Sequence, residues 1–172
     1  MKKNLIVAAL IAGALSSSAF AADGKIDFVG AITDDACTVT NNMTNPLIVT
    51  LGTVASSAFT TGNLSAAPTE FKINLTNCPA SITSAQVKFD GTADANDNTI
   101  LQLTQETGVV TNVGIQLMDK SNAVVPLYTA STAYDLTAGT NDLKFVARYL
   151  ATSLPVTAGP ANSTSNFTIV YN

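Results

Sequence analysis

Beyond the first two dozen residues the sequence runs in a two-residue period, and that period constrains the fold more than any other feature. In Leu143–Thr152 (LKFVARYLAT) the residues Leu143, Phe145, Ala147, Tyr149 and Ala151 share one phase. Lys144, Val146, Arg148, Leu150 and Thr152 share the other, which mixes charged and apolar groups. Successive side chains of a strand point to opposite faces, so this segment predicts a strand with one dry face and one partly wet one. The C-terminal NFTIVYN repeats the pattern, with Phe167, Ile169 and Tyr171 in one phase and Thr168 and Val170 in the other. No sustained 3.6-residue periodicity competes with it. Short alternating runs predict strands near 26–33, 36–41, 46–51, 70–76, 84–90, 100–104, 113–119, 124–128, 143–151 and 164–171. Many short strands separated by turn residues predict an all-β sandwich, and the absence of repeats or linkers predicts one domain.

The breaks between the runs carry turn chemistry. Asp90-Gly91 opens a polar loop, Lys120-Ser121-Asn122 predicts a short hairpin, and Ala138–Asn141 precedes the strand expected to open at Leu143. Pro155 and Gly159-Pro160 break the chain before its last strand.

Met1-Lys2-Lys3, the apolar run from Leu5 to Leu15, and Ala19-Phe20-Ala21 have the order of a secretory signal peptide cleaved after Ala21. The run is shorter than the ~20 apolar residues that span a bilayer, and no second run approaches that length. The exported remainder is therefore expected to be soluble, with no stable membrane insertion. Its two cysteines, Cys37 and Cys78, lie in that remainder, where disulfides persist and only one intramolecular pairing is possible. Closing a loop of 41 positions contributes about 4 kcal/mol by the chain-entropy estimate.

Several function classes fall away. The chain has no histidine, which removes histidine-based triads and histidine metal sites, and no enzymatic activity is expected. With 12 acidic against 8 basic residues it is a poor binder of nucleic acid. Asp90, Asp94 and Asp97 offer oxygens for calcium, but without EF-hand spacing they read as turn formers, so neither metal nor cofactor is expected. Asn42, Asn63, Asn74, Asn162 and Asn166 head N-x-Ser/Thr triplets, which arise by chance in so Asn- and Thr-rich a chain.

Two amphipathic runs lack a local partner. One is the C-terminal strand. The other, GKIDFVGAI (24–32), places Ile26, Phe28 and Ile32 in one phase, with Gly30 in step. It precedes the first cysteine by a short tether containing Asp34-Asp35.

At these residues the chain resembles the structural subunits of chaperone–usher fimbriae, the type 1 pilin family. GKIDFVGAITDDAC resembles that family's donor segment and first cysteine, and FKINLTNC (71–78) the strand leading to the second. VKFDGTADANDNTIL, VGIQLMDKSNAVVPL, LKFVARYLAT and AGPANSTSNFTIVYN resemble further blocks in the family's order. Gly159 stands fourteenth from the end and Tyr171 is penultimate, as in the family's chaperone-recognition signature.

The resemblance implies an immunoglobulin-like sandwich lacking its final strand. It implies a signal peptide (1–21), a donor segment (22–34) and a pilin domain (35–172). A periplasmic chaperone would cover the open groove during export. At an outer-membrane usher the donor segment of another pilin subunit would then replace it, a form of β-strand addition. Ile26, Phe28, Gly30 and Ile32 would form the donor strand. Gly159, Phe167, Ile169, Tyr171 and Asn172 would form the groove and chaperone contact, with the terminal carboxylate meeting basic residues of the chaperone. Three buried Ile or Phe side chains give about 5–9 kcal/mol, comparable to the whole stability of a small domain, about 5–15 kcal/mol.

A head-to-tail contact that does not close builds a filament at the cell surface. Two other readings stand beside the structural pilin. One is a subunit whose own loops bind a receptor; the other is a monomeric periplasmic binding module with a closed sandwich. Only Ala22–Lys25 precede Ile26, a shorter lead than in many rod subunits, so rod and adaptor roles both stay open.

Overall fold

The computed structural model describes residues 24–30, 32 and 36–172. The chain divides into two units, 1–32 and 33–172. The signal peptide expected over 1–21 lies outside the described residues, as do Asp34 and Asp35.

The second unit is a two-sheet sandwich with no α-helix among its described residues. Its strands are β1 (Thr38–Val39), β2 (Ser65–Cys78), β3 (Ser84–Asp90), β4 (Leu101–Gln102), β5 (Val113–Met118), β6 (Tyr134–Asp135), β7 (Gly139–Ala151) and β8 (Asn166–Tyr171). One sheet has the order β1-β2-β7-β5-β4, the other β6-β3-β8. Every ladder is antiparallel.

The predicted phase of β7 holds. Leu143, Phe145, Ala147, Tyr149 and Ala151 are buried while Val146, Arg148 and Leu150 are half-buried and Lys144 is exposed. The core joins Ile73, Leu75, Leu143 and Phe145 of the larger sheet to Ala85, Val87 and Phe89 of the smaller. Phe145 is its hub, edge-on to Phe89 at 5.0 Å and stacked on Phe71 at 5.8 Å. Such aromatic pairs add about 0.5–1.5 kcal/mol each beyond the area they bury. The Cys37–Cys78 disulfide joins the start of β1 to the end of β2.

Some expected strands differ. β7 opens at Gly139 instead of Leu143, because Gly139 pairs with Cys78 and Asn141 with Leu75 across a bulge. The local composition reads as a turn, and the ladder overrides it. The segment 124–128 is not a strand. It meets β5 at the Met118–Val124 bridge, and Pro126, which has no N–H, interrupts the ladder. The segment 46–51 has no strand either, and none of its backbone groups is hydrogen-bonded among the described residues. At the front, residues 24–30 and 32 hold no strand where 26–33 was expected. A strand exists by virtue of a neighbour that takes its N–H and C=O groups, and alternation alone supplies none.

Two polar devices hold the loops. The Lys120–Asn122 hairpin is closed from beneath by Asp119, whose side chain sequence reading did not single out. The residue is buried, and Oδ1 accepts hydrogen bonds from Ser121 N (2.8 Å), Ser121 Oγ (2.6 Å) and Ala123 N (3.0 Å). Oδ2 accepts one from Thr132 Oγ1 at 2.7 Å. Burial pushes this carboxyl up, but the four hydrogen bonds outweigh it and hold the pKa below the ordinary value. Asp94 and Asp97 act as turn formers, each accepting from a backbone N–H two residues on.

Candidate functional site

The site is the outer edge of β8. This strand pairs with β3 on one side only, and it ends the smaller sheet. Asn172 and Ser84 exchange both backbone hydrogen bonds, at 3.0 and 3.2 Å. In an antiparallel ladder such doubly bonded pairs alternate with pairs whose N–H and C=O groups point the other way. Counting back from Asn172, residues 170, 168 and 166 bond to β3. Phe167, Ile169 and Tyr171 therefore aim their backbone donors and acceptors at the free edge. Among the described residues no backbone group receives them.

The same three residues carry the apolar phase of the strand. Their partners across the ladder, Phe89, Val87 and Ala85, are 3%, 0% and 0% exposed. Phe167, Ile169 and Tyr171 pack against the same core yet stay only half-buried. One flank of each is covered by β3 and the other is open. An open apolar flank and a row of unpaired backbone groups thus coincide along one strand edge. This is a template for another strand, and isolated proteins seldom leave one uncovered.

The pole of the site is set by the disulfide. Tyr171 Oη donates to the Cys37 carbonyl at 3.5 Å, which ties the end of β8 to the start of β1. Burial raises the Tyr171 pKa, so the phenol stays protonated as a donor. Asn172 closes the ladder through its backbone, and its side chain is exposed.

Gly159 does not lie on this edge. It precedes β8 and packs against another loop, where a Cβ would come within 1.9 Å of the Gly108 carbonyl oxygen. Next to it Val110 N donates to Pro160 O at 3.0 Å. The structure thus gives Gly159 a close-approach role, while Phe167, Ile169, Tyr171 and Asn172 fall together on β8 and its end. The need for a glycine here arises from two segments far apart in sequence, so no local signal marks Gly108 as its counterpart.

In the first unit Ile26, Phe28 and Ile32 are 78%, 92% and 102% exposed. Gly30 has no atom within 4 Å of where its Cβ would be. Lys25 and Asp27 form an exposed ion pair at 2.8 Å, which contributes little at such exposure.

Among the described residues no cluster of His, Cys, Asp or Glu is placed to hold a metal ion, and no helix is long and apolar enough to cross a membrane.

Comparison with known proteins gives a consistent result. The family model described as "Fimbrial protein" matches residues 26–172. The chain is 34% identical to long polar fimbria protein A of Salmonella typhimurium over 99% of its own length and 98% of that protein. It is 35% identical to the probable major fimbrial subunit LpfA of Escherichia coli O157:H7, over 99% and 97% of the two chains. Among solved structures it is similar to an antigen and type I fimbria protein of Burkholderia pseudomallei, with 35% identity and a TM-score of 0.61. The match covers 81% of this chain and 91% of that one.

Proposed function

This chain belongs to the fimbrial protein family and is a structural subunit of a bacterial pilus, and we propose that it polymerises by lending residues 26–32 to the open edge of β8 in the next copy. The observation that carries the reading is the coincidence on β8 of half-buried apolar side chains with unpaired backbone groups. The exposed Ile26, Phe28 and Ile32 have the matching two-residue period. Gly30, in the same phase, suits a place where the added strand and the core approach most closely.

The added strand would satisfy the N–H and C=O groups of Phe167, Ile169 and Tyr171 and cover their open flanks. Because donor and acceptor are different surfaces of one molecule, each addition leaves a free donor and a free acceptor, and the assembly grows as a filament. Before assembly the same edge invites aggregation. A periplasmic chaperone that lays its own strand along β8 during export, and an outer-membrane usher where the exchange takes place, fit this need. The fibre ends up on the cell surface, where it supports adhesion.

The test uses a chain lacking residues 22–33. Added peptide of sequence 22–33 is expected to raise its melting temperature by several degrees, and the truncated chain is expected to enter no fibre as a donor. Normal fibre growth by the truncated chain, with no response to the peptide, would overturn the proposal.

A further inference from the structure

The outer face of the larger sheet carries the chain's single arginine, and no acid answers its charge within the copy. Arg148 lies on β7 in the phase that points away from the core, between the half-buried Val146 and Leu150. The register sets Gln116 of β5 directly opposite. Nε and Nη2 of the arginine both donate to Gln116 Oε1, at 2.8 and 2.6 Å, and Gln116 is itself buried. The guanidinium is thus fixed in place by a neutral partner. Among the described residues its Nη1 donates to nothing, and no carboxylate lies within ion-pair distance. The lysines on the same face are paired, Lys72 with Asp142 at 3.3 Å and Lys144 with Glu70 at 3.6 Å. A half-buried, pre-positioned guanidinium with one side of its fork open suits a carboxylate. Part of its hydration is already lost, so an ion pair there is stronger than one in open water.

Acids of the right kind are on the same chain but out of reach. Between Lys88 and Lys120 the sequence has no base, and it holds Asp90, Asp94, Asp97 and Glu106 besides the buried Asp119. Asp94 and Asp97 bound a turn at the far edge of the same sheet. β4 pairs with β5 on the side away from β7, Ala93 bridges to Leu101 of β4, and Asp94 N donates to Ile100 O at 3.0 Å. Inside the turn each carboxylate uses only Oδ1, Asp94 for Asn96 N and Asp97 for Thr99 N and Thr99 Oγ1. Oδ2 of each accepts nothing among the described residues. Three strand spacings, about 14 Å, separate this edge from the strand of Arg148. The open fork and the acids that fit it therefore sit on one surface without meeting.

We propose that the outer face of the larger sheet is a side-by-side contact between copies of this chain, in which the acidic turn of one copy seats Asp94 or Asp97 on Arg148 of another. Val146 and Leu150 flank the ion pair and limit its contact with water. The two halves lie at different places on the molecule, so the contact is heterologous and every copy offers both. Strand donation uses β8 of the smaller sheet, so this contact goes beyond that reading and joins copies that are not donor and acceptor to each other. A fibre repeats the weak pair along its length and turns it into a cohesive side.

The test cross-links a mixture of light and nitrogen-heavy full chains carrying Arg148→Lys, which keeps the charge and supplies an amine. A carbodiimide joins an amine to a carboxylate in contact with it, and mass spectrometry identifies the joined peptides. Peptides that link position 148 of one isotope to Asp94 or Asp97 of the other are expected, in fibres and in concentrated free subunits alike, so the outcome does not hinge on strand donation. Their yield is expected to fall about threefold or more between ~0.02 and ~0.5 M salt, where screening shortens the reach of charges. In a second measurement, light scattering at low salt is expected to fall in Arg148→Glu and to recover when that chain is mixed with one carrying Asp97→Lys. Asp97→Asn, which keeps the acceptor oxygen of the turn, is expected to lower the scattering at an unchanged melting temperature, and it carries the test should the Arg148 variants misfold. The absence of mixed-isotope links between position 148 and the turn would overturn the proposal. Scattering indifferent to salt and to these substitutions would overturn it as well.

Discussion

Replacing Ile169 with alanine, side by side with the same replacement at Ile73, separates an open apolar flank from an ordinary core position. Ile73 is 1% exposed and lies on β2 in the other sheet, whereas Ile169 is half-buried against β3. A fully buried Ile→Ala change costs about 2–5 kcal/mol. Ile73→Ala should carry that whole cost in the free subunit. Ile169→Ala should carry roughly half, about 1–2.5 kcal/mol, because the free subunit realises only part of its burial. When a donor peptide of residues 22–33 covers the edge, Ile169 becomes fully buried and the remaining cost, again about 1–2.5 kcal/mol, falls on binding. That corresponds to a loss of roughly 5- to 70-fold in peptide affinity. Ile73→Ala is equally buried in both states, so peptide affinity should stay within about threefold. The assays are urea denaturation of the free subunit and calorimetric titration with the peptide. The Ile→Val pair at the same positions gives the same contrast with smaller losses, should either alanine variant fold poorly. Equal effects on peptide affinity at Ile73 and Ile169 would refute the reasoning, because the open flank of β8 would then contribute nothing to binding.

Three further outcomes follow from the geometry. Replacing Cys37 and Cys78 together with serine should lower stability by about 4 kcal/mol on the loop-closure estimate, read from thermal melts against the wild type in oxidising buffer. Gly159→Ala should destabilise the subunit by about 1–3 kcal/mol or more through overlap with Gly108, yet leave the affinity for the donor peptide unchanged; a peptide defect at full stability would assign Gly159 to the edge after all. Asp119 has a folded-state pKa below its unfolded one, so its contribution to stability is present above the unfolded value, about 3.9, and is lost as pH falls through the folded one. The urea midpoint should fall over that acid window in the wild type and fall less in Asp119→Asn.

Much of the fold was legible in local pattern. β3 spans Ser84–Asp90 as its alternation implies, and the inward phases of β7 and β8 are the ones the residues suggest. The single disulfide follows from the cysteine count. What was not legible depended on partners remote in sequence. The runs at 46–51 and 26–33 read as strands just as β3 does, yet their described residues, 46–51 and 26–30 with 32, enter no ladder. Asp119 looks like any hairpin aspartate until Thr132 is brought beneath it, and Gly159 looks like a chain break until Gly108 is set against it.

The amino-acid order by itself determined the period of each strand, the phase of its apolar side chains and the positions of its turns, because these follow from bonding geometry within a few residues. Which strands find neighbours, and which edge is left without one, was decided only when the two sheets closed on each other. A hydrogen-bond ladder belongs to a pair of strands, so the half-covered side chains of Phe167, Ile169 and Tyr171 have meaning only beside Phe89, Val87 and Ala85.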